Sequence, residues 1–419
     1  MKIKSVRSLE VLDSRGKPTI MTSVYLEDGS KGTAMVPSGA STGSLEAYEL
    51  NDNEPERYLG SGKLKAVENS NKKIFEGLAG LDALDQKLID ETMIEIDGTE
   101  NKNNLGANSI LAASIATARA SASSANIPLY EYLNITFNKM FSTKVQMSMP
   151  RPMLNIFNGG SHANNTIDIQ EFMILPPKNI PFKKGLRMST EVYMNLKILL
   201  SQKALSTTVG DEGGFAPDLK TNDEVIDFII EAVDKSGYKF CEDIFLGLDC
   251  ASTEFFHDGN YSLEGEGKSL KPDEMIDYLK NLVTKYQIVS LEDPLEENDW
   301  AGWAKLTKEC GGLQIVGDDI FVTQRKLLQR GIDERAGNAI LIKLNQIGTL
   351  TETLLCIELA KQHNFGTIIS HRSGETEDTF ISDLAVATDA KQIKTGAPAR
   401  SDRTAKYNRL LVINDELYP

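Results

Sequence analysis

Three acids close apolar runs in the back half of the chain: Asp249 after IFLGL, Glu292 after IVSL and Asp318 after LQIVG. Two lysines follow in the same register, Lys343 after AILI and Lys394 after KQI. Neighbouring members stand one strand-plus-helix unit apart or a little more, such a unit being roughly 25–35 residues in an eight-stranded β/α barrel. The step from Lys343 to Lys394 spans two units. Groups at the same ends of consecutive barrel strands face one cavity. Three carboxylates there offer oxygen-only ligands, which suit a hard cation such as Mg²⁺. Lysines beside that cation suggest a proton-abstraction site. Each group alone has an ordinary reading, an Asp as a helix N-cap and a Lys as a solvated charge. Five in register are different, because each is an unpaired charge near a core unless it shares a partner.

Four further segments carry polar groups among glycines. The loop VPSGASTG (residues 36–43) holds Ser41 and has the small, flexible composition of an anion- or metal-phosphate-binding loop, but not the GK[ST] ending of a Walker loop. NGGSHANN contains His162, and QEF brings Gln170 and Glu171 to the start of FMILP. GDEGGFAP surrounds Glu212 with glycines. Glu171 and Glu212 suit a carboxylate pair in which one member keeps its proton. SHRSGETED places His371, Arg372 and Ser373 after the apolar GTII, and an Arg with an adjacent Ser suits a phosphate. An ion pair between Arg and Glu inside that motif is the structural alternative. His257 and His363 read as a hairpin turn and a helix end.

These groups need a scaffold. Residues 1 to about 60 alternate apolar and polar positions, broken by SRGKP and EDGSKG, which predicts a three-stranded antiparallel meander. From about 63 to 133 the pattern is helical, and LGANSILAASIATARASASSA predicts a closely packed helix. Residues 134–149 show little pattern and read as a linker, with a boundary between domains 1–135 and 136–419. Beyond it, strands near 244–249, 287–292, 313–318, 338–343, 366–370 and 391–394 alternate with helices. That alternation predicts a parallel sheet, and the number of units favours a closed barrel. No GxGxxG follows a first strand, so a dinucleotide fold gains no support.

The chain has 419 residues, 41% hydrophobic and 25% charged, with a net charge of −15. That composition is ordinary for a globular protein. The acidic balance argues against nucleic acid and anionic lipid as partners, but a local cluster of cations can still hold a small anion. Four cysteines without a CxxC pair form no disulfide framework and suggest reduced thiols in a cytosolic protein. No signal-peptide stretch or membrane-length apolar run is visible, so membrane insertion is not expected. The ending NDELYP lacks a terminal lysine, which argues against partner binding through one.

PSGASTG, NGGSHA, QEFMI, GDEGGFAP, LED, GDD, IKLNQIG, SHRSGETED and IKTGAPARSDRTAKYNRLL, in that order and across nearly the whole chain, resemble the enolase family, most closely its bacterial members. The resemblance implies an α/β fold: an atypical TIM-like β/α barrel opening with two strands and two helices, capped by an N-terminal α+β domain. It implies a phosphopyruvate hydratase interconverting 2-phosphoglycerate and phosphoenolpyruvate, with two Mg²⁺ per site. Asp249, Glu292 and Asp318 match the ligands of the tighter Mg²⁺, and Ser41 matches a ligand of the second, on a loop that folds over the barrel mouth. Lys343 matches the base at C2, and Glu212, with Glu171 beside it, the acid at the C3 hydroxyl. His162, Gln170, His371, Arg372, Ser373, Lys394 and Ser41 match substrate-binding positions. The two Mg²⁺ and Lys394 are expected to lower the pKa of Lys343. The resemblance also implies a cytoplasmic homodimer or octamer. Thr33, Gln324 and VSLEDP depart from the usual family pattern, none at a matched site residue. A related racemase or cycloisomerase, or a binding or structural protein on the same scaffold, are the competing readings.

Overall fold

The computed structural model describes residues 1–39, 43–163 and 165–419. The meander forms as predicted: β1 (Ile3–Leu12), β2 (Pro18–Leu26) and β3 (Lys31–Met35) pair antiparallel in that order. Helices α1 (Leu64–Asn69), α2 (Phe75–Leu78), α3 (Gln86–Asp97), α4 (Ala107–Ala125) and α5 (Leu129–Phe141) follow. The Ala/Ser-rich α4 is buried along almost its whole length. Its small residues are required by β3: a Cβ on Gly32 would lie 2.1 Å from the Ala116 carbonyl oxygen, so strand and helix backbones touch directly. Helix α5 overturns part of the predicted linker. NITFNKMF continues the helix to Phe141, because Leu133 and Phe137 keep its buried stripe in phase.

The barrel begins with β4 (Arg151–Asn158) and β5 (Glu171–Leu175), then α6 (Phe182–Gln202) and α7 (Asn222–Lys235) before β6 (Phe245–Asp249). A small antiparallel sheet of β7 (Phe256–His257), β8 (Asn260–Leu263) and β9 (Lys268–Leu270) intervenes. Regular alternation follows: α8 (Pro272–Tyr286), β10 (Ser290–Glu292), α9 (Trp300–Glu309), β11 (Gln314–Gly317), α10 (Arg325–Glu334) and β12 (Ala339–Ile342). The chain ends with α11 (Leu344–Ile347), α12 (Leu350–Gln362), β13 (Gly366–Ser370), α13 (Phe380–Ala387), β14 (Gln392–Lys394) and α14 (Ser401–Leu417). Eight strands close in the order β10-β11-β12-β13-β14-β4-β5-β6.

The sheet is not wholly parallel, as alternation alone predicts. β5 runs antiparallel to both β4 and β6. Among its described residues the β4–β5 connection carries no α-helix, whereas consecutive parallel strands of the barrel are joined through helices. The barrel interior packs Met153, Met173, Leu175, Val316, Leu341 and Ile368 into an apolar plug, so polar chemistry is confined to the rims. The front domain is clamped to the barrel by Arg119 on α4, whose two outer nitrogens donate to the Asp378 carboxylate. Asp378 also accepts from the Met35 backbone N–H at 2.9 Å, so part of SHRSGETED serves architecture. The four cysteines are free thiols. Among the described residues, no helix is long and apolar enough to cross a membrane.

Candidate active site

The barrel register sets the site. Glu171 pairs with Asp249, and Asp249 with Glu292, so three carboxylates stand side by side across β5, β6 and β10. Glu171 opens its strand while the others end theirs. It shares their rim only because β5 is reversed. Asp318, Lys343 and His371 each follow the last residue of β11, β12 and β13, and Lys394 ends β14. A small cavity at this rim is lined by residues that include His162, Gln170, Glu212, Arg372 and Ser373 as well as all of these but Glu292. Of the described residues assigned to the site, Glu292 alone does not line this cavity; it is fully buried beside Asp249. Ser41 lies outside the described residues. Its flanks do reach the barrel: Ser38 bridges to Gly374, and a Cβ on Gly43 would meet Val322 at 2.5 Å.

Lys394 is the counter-charge of the acid row. Its Nζ donates to Asp249 Oδ2 at 2.8 Å and Glu292 Oε1 at 2.9 Å, and lies 3.0 Å from Glu171 Oε2. Burial disfavours its charge, but these carboxylates outweigh burial and hold its pKa well above the ordinary lysine value. Burial, and then the neighbouring Asp249, push Glu292 well up. Lys343 Nζ donates to Asp318 Oδ2, and Gln346 Nε2 donates to Asp318 Oδ1 at 2.8 Å. Burial works against the Lys343 charge, yet Asp318 prevails and raises its pKa. With this ion pair in place the amine is protonated. A lowered pKa therefore depends on a cation drawing Asp318 away.

The donor set fits a divalent cation. Glu292 Oε2 is buried and makes no hydrogen bond among the described residues, and every acid here supplies hard oxygen ligands. Two acids not singled out in the sequence belong to this corner. Carboxylate oxygens of Asp293, Asp318 and Asp319 lie within 4.8 Å of one another. Asp293 accepts from the backbone N–H groups of Asp318 and Asp319, each at 2.9 Å. It thus holds the strand end that presents Asp318. The readable signal was the doubling of acids in LED and GDD.

Glu212 sits on a glycine hairpin strapped to β4. Gly213 has φ +85°, and a Cβ on Gly214 would lie 2.5 Å from Asn158 Oδ1. Asn155 Nδ2 donates to Glu212 Oε2 at 3.1 Å, and His371 Nε2 lies 3.1 Å from that oxygen. Arg403 donates to His371 Nδ1. Arginine only donates, so Nδ1 is the acceptor and the neutral ring carries its proton on Nε2, facing Glu212. Burial pulls His371 down to about 3, which keeps the ring neutral. Ligand atoms of His162, Glu171 and Glu212 lie within 4.8 Å of one another. Burial, and then the Glu212 charge, push Glu171 well above the carboxylate range. Burial opposes the Glu212 charge too, but the N–H that neutral His371 turns toward it and the Arg403 charge hold Glu212 low. Of the two, Glu171 is the carboxyl whose surroundings favour the protonated form.

Arg372 finds its acid outside its own motif. Nη1 donates to Glu46 Oε2 at 2.9 Å and Nη2 to Glu46 Oε1 at 3.1 Å, a two-pronged pair reaching into the front domain. Asn345 Oδ1 accepts from the same Nη1 at 2.9 Å. The motif's own Glu375 instead pairs with Lys406 Nζ at 2.7 Å. Glu46 carried no sequence signal, since a single Glu after a Gly-rich loop reads as solvated. Gln170 Oε1 accepts from Ser161 at 2.6 Å.

A capped β/α barrel that opens with two strands and two helices, with acids and lysines converging at one rim, defines an enolase-type protein. Residues 3–133 match the family described as "Enolase, N-terminal domain", and residues 146–418 match "Enolase, C-terminal TIM barrel domain". Together they cover nearly the whole chain, which therefore belongs to the enolase family.

Proposed function

We propose that this protein is a phosphopyruvate hydratase, interconverting 2-phosphoglycerate and phosphoenolpyruvate plus water in the cytoplasm, in glycolysis and gluconeogenesis. The observation that carries the reading is that Lys343 and the Glu171–Glu212 pair line the same cavity, together with Asp249 and Asp318. A lysine base with Mg²⁺ is the known pattern of enolase-superfamily sites. Asp249, Glu292 and Asp318 would hold one Mg²⁺, and Ser41 a second. Bound Mg²⁺ would supply the positive charge that makes a proton next to a carboxylate acidic enough to remove.

The chain's own groups do the rest. Lys343, once neutral, takes the C2 proton at Nζ. Glu212 serves the departing C3 hydroxyl, and Glu171, the more readily protonated of the pair, supplies the proton with which it leaves as water. Arg372 and Ser373 hold the phosphate, with Glu46 aligning the guanidinium. His162, Gln170 and His371 line the same cavity, and Lys394 holds the acid row in place.

The experiment separates base from acid. Lys343→Ala should lose both turnover and exchange of the C2 proton with solvent. Glu212→Gln should lose turnover and keep part of the exchange, because the proton leaves before the hydroxyl. Wild-type exchange in Lys343→Ala would remove Lys343 from the role.

A further inference from the structure

A second set of cavities lies at the opposite end of the barrel, where the strands begin. One, of about 530 Å³, is lined by residues that include Phe245, Val283, Ile288 and Leu313; the other, of about 490 Å³, by residues that include Pro152, Ile180 and Phe182. Both volumes lie in the range of about 300–1,000 Å³ usual for small-molecule sites. Arg151, Pro177, Lys178 and Gln314 line both, so the two form one trough beneath the barrel floor. The floor itself is sealed. Gln314 and Gln392 exchange side-chain amide hydrogen bonds at 3.2 and 2.6 Å, and Gln314 Nε2 also donates to Ser290 at 3.0 Å. Above them sits the apolar plug, which separates the trough from the acid row.

Arg151 is the unusual group. It opens β4 and is partly buried, its Nε donates to the Pro176 carbonyl, and its guanidinium lies 5.5 Å from the Phe245 ring centroid. Among the described residues its two outer nitrogens make no hydrogen bond and it has no acidic partner. Burial alone acts on it, and pulls its pKa down to about 10. Lys178, exposed at the trough edge, has no acidic partner among the described residues either. The lining acid, Glu309, is already paired with Lys280 at 2.7 Å. Arg151 lines both cavities with its outer nitrogens left open to the trough, and its planar fork matches a phosphate or carboxylate group. In a chain of net charge −15, this is a local reversal of sign.

The geometry points to a binding site for a small organic anion in this trough, a molecule whose phosphate or carboxylate group engages Arg151 and Lys178 and whose apolar part lies along Phe245, Val283 and Ile288. The site is independent of the reaction at the barrel mouth, and Arg151 touches none of the residues assigned there.

Arginine labelling with phenylglyoxal, mapped by peptide mass spectrometry on the intact protein, tests it. Inorganic phosphate and citrate are the two probes, and Arg335, exposed and without an acidic partner among the described residues, is the control. Labelling of Arg151 should slow several-fold with at least one probe while Arg335 is unchanged. Slowing by phosphate alone assigns a phosphate ligand, by citrate alone a carboxylate ligand, and by both the shared oxyanion chemistry. No slowing with either, or equal slowing of Arg335, overturns the site. As an equilibrium check, Arg151→Gln should keep wild-type turnover and show a smaller rise in Tm with the protecting probe. An equal rise in both proteins also overturns it. If the variant does not fold, the labelling of the wild type decides.

Discussion

The two rim lysines divide the acids between them. Lys394 serves Asp249, Glu292 and Glu171, and Lys343 serves Asp318. A cation that takes Asp318 competes with Lys343 for it. Mg²⁺ should therefore raise Tm in wild type, by linkage, and EDTA should abolish turnover. In Asp318→Asn the Mg²⁺-induced rise should shrink sharply; an undiminished rise would remove Asp318 from the ligand set. Glu46 makes a different prediction. It is the acid partner of the buried Arg372, and breaking such a pair costs on the order of 3 kcal/mol. Glu46→Gln should lower Tm in phosphate-free buffer, and added inorganic phosphate should restore more Tm than it adds to wild type, because the anion takes over the vacated charge. Identical phosphate responses would show that Arg372 does not meet the anion.

Elements meet where α3 of the front domain abuts the start of α12 in the barrel. Thr349 caps α12 by accepting from the Glu352 N–H at 3.1 Å. Asp90 on α3 accepts from the Thr351 N–H at 2.8 Å and from Gln86 Nε2 at 3.1 Å. Lys102 pairs with Glu352 at 3.1 Å in the same junction. Burial raises Asp90 from 3.8 to about 6. The folded value lies above the unfolded one, so the stabilisation belongs to the protonated acid. It is complete below about pH 4 and is lost as pH rises through about 6, on the order of 3 kcal/mol in all. Asp90→Asn keeps an acceptor for Thr351 without the charge, and the unpaired Gln86 Oε1 can turn to accept from the new amide. The Tm of the variant should gain on wild type between about pH 4 and pH 7 and then run parallel. A constant gap across that range would show that Asp90 does not titrate there.

For the whole molecule, the single chain presents Leu9, Leu12 and Leu59 to solvent, with Leu59 95% exposed. We propose that it assembles as a homodimer or as an octamer built from dimers. A light-scattering mass near the 46.1 kDa of one chain at micromolar concentration would count against this. The strong negative charge opposes association at low salt through self-repulsion, so the mass should be taken at moderate ionic strength.

Much was legible from residue order. The period of the apolar runs revealed the barrel units from β6 to β14, since each buried strand must be apolar and each ends where the chain meets the rim. The acids and lysines at those ends could be named from that period alone, while motif resemblance was needed to assign them roles. What the order could not show depends on contacts between distant segments. The reversal of β5 puts Glu171 beside Asp249, and a strand's direction is decided by its neighbours rather than by its own pattern. Helix α5 extends through a stretch with weak periodicity because the barrel offers a surface to its buried face. Glu46 reaches Arg372 across more than half the chain, Asp293 becomes a support for Asp318 only when β10 and β11 lie side by side, and Arg151 acquires its isolation from the folds of chain around it. Local sequence carries the side-chain period that forms elements and marks their ends. Which charges meet, which protons are held and which cation lacks a partner were decided by tertiary structure, because electrostatic pairing depends on distance in space and on burial, neither of which is a local property of the chain.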